Sequence, residues 1–285
     1  MVVQFNIKSL ARKVFHYLSK KAILDAKGED KKFLEIWNLS LKIIPDSVLD
    51  EHFIVPVFND EVRLRIRLLI CGEVYFAAKV IEELFGGEKK CTFLDIGDSD
   101  GSTRLLLNEA LPHFSIDTMG INLQLKAVEK IRRKGLKAEC LDAMEVQKAG
   151  TRYDIVSLFE TLEHLTNPIG FLENIHETVK HRLIISVPLI CHSRISLRYL
   201  DKTWDKNIIP TIENTHIFEL APEDWRKIFL HTGWRVESEW RLRQFPDSGI
   251  LKIIMQRAWR KLSFEGFWFA ALTKDMFHKN RFVLQ

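Results

Sequence analysis

The chain has 285 residues, of which 46% are hydrophobic and 28% charged, with a formal net charge of +4. That is the composition of an ordinary soluble fold with a sizeable core, and apolar runs such as "RLLI" and "GFWFAAL" fall far short of the roughly 20 residues of a membrane-spanning helix. Cys71, Cys91, Cys140 and Cys191 lie far apart with no CxxC pair, which argues against a disulfide frame or a zinc site and predicts reduced thiols.

The chain opens with apolar residues at helical spacing, Val3, Ile7, Leu10, Val14 and Leu18, separated by Lys8, Arg12, Lys13, Lys20 and Lys21. No leader layout is visible, so a cytoplasmic location is expected. A second helix is predicted over "KKFLEIWNLSLKII" and a third over "EVRLRIRLLICGEVYFAAKVIEELF", with Gly86-Gly87 as its stop. The organisation expected is a helical cap or lid over 1–87, followed by one domain over 88–285.

From Cys91 the pattern changes to alternating strand and helix. Strands are predicted at "CTFLDIG", "SIDTMGIN", "KAECLDA", "YDIVSLFE" and "RLIISVP". The helices between them are "STRLLLNEAL", "LQLKAVEKIRRKG" and "NPIGFLENIHETVK". A further helix, "APEDWRKIFLHTG", carries Pro222 in its first turn and Gly233 after its end. Two more strands, "WRVESEWRLRQF" and "FWFAALTK", flank a basic helical stretch holding Lys252, Arg257, Arg260 and Lys261. The fold class expected is α/β: a Rossmann-like sheet of seven strands with the last one antiparallel, helices on both faces and an N-terminal helical extension.

In an open parallel sheet, ligands bind beyond the C-terminal strand ends. Those ends carry Asp95, Gly97, Asp98, Ser99, Asp100 and Gly101 after the first strand, Asn122-Leu123 after the second, Asp142-Ala143 after the third and Phe159-Glu160 after the fourth. The ordered set "FLDIGDSDG", "YDIVSLFETLEHLTNP", "FLENIHETVKHRLIISVP" and "ENTHIFELAPEDWRKIFLHTGWRV" resembles class I S-adenosylmethionine (SAM) dependent methyltransferases. The branch it resembles is the one that includes ubiquinone-biosynthesis O-methyltransferases.

The resemblance implies SAM as cofactor and methyl transfer, in the first instance to oxygen on a small molecule such as a sugar, a phenol or quinol, or a lipid head group. It places Asp95 near the ammonium of the cofactor's amino-acid tail, Gly97, Asp98, Ser99 and Gly101 in the loop along that tail, and Asn122 with Leu123 at the ribose. Asp142 and Ala143 fall at the adenine, and Phe159 and Glu160 at the methionine side. Ser99 stands where the family has a middle glycine. Asn122 stands where it has an acid, a change worth about 1–2 kcal/mol of binding by comparison of charged with neutral hydrogen bonds. These two departures favour the alternative of a non-catalytic scaffold or interaction protein.

His164 and His216 are the proton acceptors expected beside a substrate hydroxyl. Tyr75 to Lys79 has the Tyr-x-x-x-Lys spacing of short-chain dehydrogenases, but it precedes the glycine loop and is a chance match. His176 and His181 are five residues apart and "HETVKH" is not HExxH, so no metal site is expected. The partner expected is a small-molecule methyl acceptor. Nucleic acid is not expected, because the basic residues gather at the termini and not around the strand ends. Those basic amphipathic ends are read as solvated helix faces, with weak peripheral membrane association as the alternative. No oligomeric state is predicted.

Overall fold

A computed structural model of the chain describes Tyr17, Lys21 and residues 30–52, 58–195, 215–244 and 264–277. Most of the predicted first helix, the basic stretch 252–261 with Trp259, and residues 196–214 lie outside the described residues; Tyr17 and Lys21 are helical.

Among the described residues before Lys90, the chain is mostly helical, as predicted. Helix α1 (Lys31–Ile43) starts at Asp30, whose carboxylate accepts the Lys32 and Phe33 backbone N–H groups at 2.8 and 3.3 Å. Phe33, Ile36 and Trp37 are buried along one face. A short helix, α2 (Asp46–Asp50), leads to α3 (Asp60–Phe85), capped by Asn59. The left-handed residue after α3 is Lys89, with φ 52°, and not a glycine of the predicted Gly86-Gly87 stop; Gly86 continues the right-handed turn.

The alternating part builds β1 (Lys90–Ile96), α4 (Ser102–Ala110), β2 (Ser115–Asn122), α5 (Leu125–Arg133), β3 (Ala138–Cys140) and β4 (Tyr153–Phe159). It continues with α6 (Pro168–Asn174), β5 (Val179–Ile190), α7 (Pro222–His231), β8 (Trp234–Arg243) and β9 (Phe264–Lys274). Two short strands that were not predicted, β6 (Arg194–Ile195) and β7 (Phe218–Glu219), pair with each other.

The main sheet runs β3-β2-β1-β4-β5-β9-β8. Strands β1 to β5 are parallel to one another, and β9 is antiparallel to both β5 and β8. This is the Rossmann-like arrangement expected, with the final strand inserted between β5 and β8. Strand order reverses between β1 and β4, so the crevice forms at their C-terminal ends.

Both faces of the sheet are covered. Helix α3 lies against β8 and β9, where a Cβ on Gly72 would come within 3.0 Å of Leu242 and Phe269. On the other face Trp225, Phe229, Trp234 and Trp268 are fully buried, and the Trp234 indole donates to the Leu172 carbonyl at 2.8 Å. Each such side chain contributes on the order of 2–3 kcal/mol. No helix among the described residues is long and apolar enough to cross a membrane.

Candidate functional site

The chain leaves β1 at Gly97, whose φ of 88° is a left-handed value that favours glycine. The space a Cβ would need there is taken, since it would lie 2.1 Å from Thr161 Oγ1 on the turn after β4. The Asp98 carboxylate accepts the Gly101 N–H at 2.6 Å and the Arg104 Nε–H at 2.7 Å. Arg104 is fully buried, and its guanidinium occupies the space over Gly120, where a Cβ would lie 2.4 Å from Nη2. The loop is thus held by a buried ion pair of its own. Asp98, predicted as a cofactor contact, borders the cavity while its carboxylate holds the loop together.

The two departures from the family pattern are accommodated locally. Among the described residues the non-glycine positions with positive φ are Lys89 and Glu160, so Ser99 needs no left-handed backbone. Its hydroxyl lies 3.3 Å from a His52 ring nitrogen. Asn122 donates to the Asp98 carbonyl at 3.0 Å and accepts the Gln124 N–H at 2.8 Å, which ties the end of β2 to the loop and to α5. Gly101, with φ 79°, starts α4 and faces Leu136 and Ile131; it does not border the cavity.

Around this loop opens a cavity of about 830 Å³. Of the residues predicted for the site, Asp95, Gly97, Asp98, Ser99, Asn122 and Leu123 line it from β1 and β2. Asp142, Ala143, Phe159, Glu160, His164 and His216 line it as well, so that of the predicted set Gly101 stands outside the lining. Asp142 caps the 3-10 turn Ala143–Ala149 by accepting the Met144 N–H at 2.9 Å. Asp95 is buried and accepts from Ser157 at 2.8 Å; burial and the neighbouring Asp98 charge push its carboxyl up to about 8, against the pull of Arg104. The sequence reading missed Glu73, which α3 brings to the cavity wall, where it accepts from Thr103 at 2.7 Å. Its carboxyl is raised well above the usual range by burial. No local signal marks it, because its role follows from α3 packing on the sheet.

The other end of the cavity is lined by His164 at the end of the turn Leu162–His164, by the residues that follow it to Asn167, and by Thr215, His216 and Ile217. These two segments are joined by the Ile217 N–H donating to the Glu163 carbonyl at 2.8 Å. Glu160 sits at φ 45°, held by its N–H to the Ser186 carbonyl and hydroxyl at 3.1 and 3.0 Å. A non-glycine residue in that region stores strain, and such residues gather at functional sites. The His164 and His216 rings stand 4.7 Å apart, edge to face. His164 Nδ1 is 3.0 Å from the Thr215 carbonyl, and His216 Nδ1 is 3.4 Å from Glu219, which also pairs with Arg194. Burial raises Glu160 and Glu163, the latter to about 8. His216 and Arg194 outweigh burial at Glu219 and hold it at about 2.

These acids set a pH dependence of stability. Asp95 ionises near 8 in the folded chain against 3.8 ordinarily, so between those values the folded state carries the extra proton and stability falls as pH rises. Glu163 acts in the same direction. Urea unfolding without added cofactor should lose about 1 kcal/mol per pH unit per group between about pH 5 and 8. Asp95→Asn should flatten that slope, and a stability that climbs over this range would contradict the protonated Asp95.

A family model described as a methyltransferase domain matches residues 71–239. Among solved structures, the magnesium protoporphyrin IX methyltransferase of Synechocystis PCC 6803 with bound S-adenosylhomocysteine is 15% identical, with a TM-score of 0.50, covering 94% of this chain and 100% of that one. A provisionally named sarcosine dimethylglycine methyltransferase from Galdieria sulphuraria is 10% identical, with a TM-score of 0.54, covering 84% and 96%. A complex of a Haloferax volcanii methyltransferase activator with a provisionally named methyltransferase matches at 14% identity and a TM-score of 0.50, covering 72% and 90%. At these identities the structures bear on the fold.

Proposed function

The chain belongs to the methyltransferase-domain family, whose cofactor is S-adenosylmethionine, and from that premise we propose that it methylates an oxygen of a small molecule. The observation that carries this reading is a single cavity with two chemically different ends that meet at Phe159-Glu160. One end offers Asp95, the Gly97 turn and Asp142; the other offers two oriented imidazoles and the buried Glu160 carboxyl, and Val62, Ile66, Leu69 and Phe267 add apolar lining.

The first end suits the cofactor. The loop 97–101 carries no lysine or arginine to cradle a phosphate, while buried Asp95 and bordering Asp142 suit a ligand with a cationic tail and an exocyclic amine. In this reading Asp95 holds the ammonium and Asn122 with Leu123 the ribose. Asp142 and the Ala143 backbone hold the adenine, Phe159 and Glu160 face the methionine side, and Gly97, Ser99 and the Asp98–Gly101 brace shape the loop. When bound, the cofactor supplies a methyl group made electrophilic by its sulfonium.

The chain's own tasks are alignment, exclusion of water and removal of a proton. Donation of the His164 Nδ1–H to the Thr215 carbonyl leaves the lone pair on Nε2, which points toward Glu163 at 3.9 Å and is placed to take an acceptor's proton. Residues 1–87 serve as the lid; His52 and the first turns of α3 already contribute lining to the cavity. The apolar wall fits a phenol or quinol, the acceptor class of the branch the sequence resembles. Formation of S-adenosylhomocysteine should be followed with panels of hydroxyl and amine acceptors. Turnover confined to hydroxyl compounds, reduced about 10²–10⁴-fold by His164→Gln, supports the reading; turnover confined to amines ends it.

A further inference from the structure

We propose that Glu73 binds the carboxylate of the cofactor's amino-acid tail as a neutral hydrogen-bond donor, while Asp95 takes the ammonium. The inference rests on the cofactor reading above and adds to it a residue from α3. Val62, Ile66, Leu69 and Glu73 recur at helical spacing along the face of α3 that lines the cavity, and Glu73 is the acid among them.

The cofactor's tail carries an ammonium and a carboxylate on one carbon, so the group that holds one lies beside the group that holds the other. Asp95 answers the ammonium. The carboxylate needs donors, and the loop 97–101 has no lysine or arginine to supply them. Arg104 is fully buried and paired with Asp98 at 2.7 Å. Arg65, which also lines the cavity, is paired with Glu61 at 2.7 Å and lies eight residues from Glu73, about 12 Å along the helix.

Glu73 stands where the donor is wanted. Its Oε2 accepts from the Thr103 hydroxyl at 2.7 Å, and Thr103 lies in the first turn of α4, directly after the loop, and lines the cavity. Among the described residues no other hydrogen bond holds this carboxyl. A helix N-terminus favours an anion, so an ionised Glu73 would compete with the tail's carboxylate for one place. A protonated Glu73 adds a donor there instead. Glu73 is 4% exposed, and the charged groups that face it are Asp95, Asp98 and Glu160, with Arg104 engaged on Asp98. Burial, and then the Asp95, Glu160 and Asp98 charges, raise its carboxyl well above the usual range, against the pull of the Thr103 hydrogen bond. An acid in that setting keeps its proton. With Oε2 engaged by Thr103, Oε1 carries the proton and can donate it. The arriving carboxylate favours the neutral form further.

The test compares two ligands that differ by the carboxylate alone: S-adenosylhomocysteine and its decarboxylated form, which keeps the ammonium. Both are titrated calorimetrically into full-length wild type, Glu73→Gln and Glu73→Met, with urea unfolding of each variant as the check on folding. A glutamine amide donates as the neutral acid does, so Glu73→Gln should bind S-adenosylhomocysteine within about threefold of wild type. Glu73→Met keeps the length without a donor and should bind it about 10–100-fold more weakly, as expected for a lost hydrogen bond to a charged group. The decarboxylated ligand should bind all three proteins equally. If Glu73→Gln loses as much affinity as Glu73→Met, and the decarboxylated ligand is weakened alike, the proposal is overturned in favour of an ionised Glu73 on the ammonium. Glu73→Gln is nearly isosteric, so its loss of affinity decides against the proposal even where Glu73→Met does not fold. Unchanged S-adenosylhomocysteine binding in Glu73→Met also overturns the role and leaves the cofactor reading intact. Folded wild type that binds neither ligand removes both.

Discussion

Gly97→Ala should destabilise the protein by about 2–4 kcal/mol and abolish most of its affinity for S-adenosylhomocysteine. A left-handed φ costs an ordinary residue about 1–2 kcal/mol, and the new methyl would stand 2.1 Å from Thr161 Oγ1 and 2.9 Å from its Cγ2. Thr161 cannot step aside easily, because its hydroxyl donates to the carbonyls of Ile96 and Phe159 at 3.2 and 2.8 Å. Relief therefore has to move the β1 loop or the turn after β4, and both line the cavity. Gly101→Ala is the control. It also meets a left-handed φ, but its nearest neighbour is the flexible tip of Leu136 at 2.8 Å, away from the cavity. That variant should lose about 1–2 kcal/mol and keep its ligand affinity. Equal affinities for the two variants would mean that Gly97 does not shape the site.

Arg104→Met should cost about 3–5 kcal/mol, the penalty for leaving one member of a buried ion pair unopposed. Asp98 and Arg104 are 6% and 0% exposed, so water cannot replace the missing guanidinium. The carboxylate would still accept from the Gly101 N–H, and its charge would press on Asp95, already raised partly by Asp98. Combining Arg104→Met with Asp98→Asn removes the stranded charge while keeping an acceptor for Gly101, and should recover most of the loss. Denaturant unfolding of the two single variants and the double completes the cycle. A double variant as unstable as the sum of the singles would show that packing, and not charge, sets the cost.

Much of this architecture is readable along the chain, because strand and helix periodicities are local. The strand at Ser115–Asn122 and the helix at Ser102–Ala110 follow from apolar spacing and flanking breakers. Periodicity overshot where side chains past an element's end stay apolar. "NPIGFLENIHETVK" was predicted as one helix, yet the α-helix ends at Asn174, passes through a 3-10 turn and enters β5 at Val179. The third strand shrank to Ala138–Cys140 because the Asp142 side chain turns the backbone at Met144. Nearly all the predicted site residues meet in one cavity because each lies at the C-terminal end of a parallel strand or in the segments beyond. What stayed hidden depends on tertiary contact: Glu73 arriving from α3, the Asp98–Arg104 pair over Gly120, and Glu163 beside His216.

Calorimetric titration of the purified protein with S-adenosylhomocysteine, beside Asp95→Ala, tests the cofactor site most directly. Micromolar binding by the wild type, weakened about 30-fold or more by the variant through loss of a charge-assisted contact, is the predicted result. A wild-type protein that is demonstrably folded and binds no S-adenosylhomocysteine would contradict it.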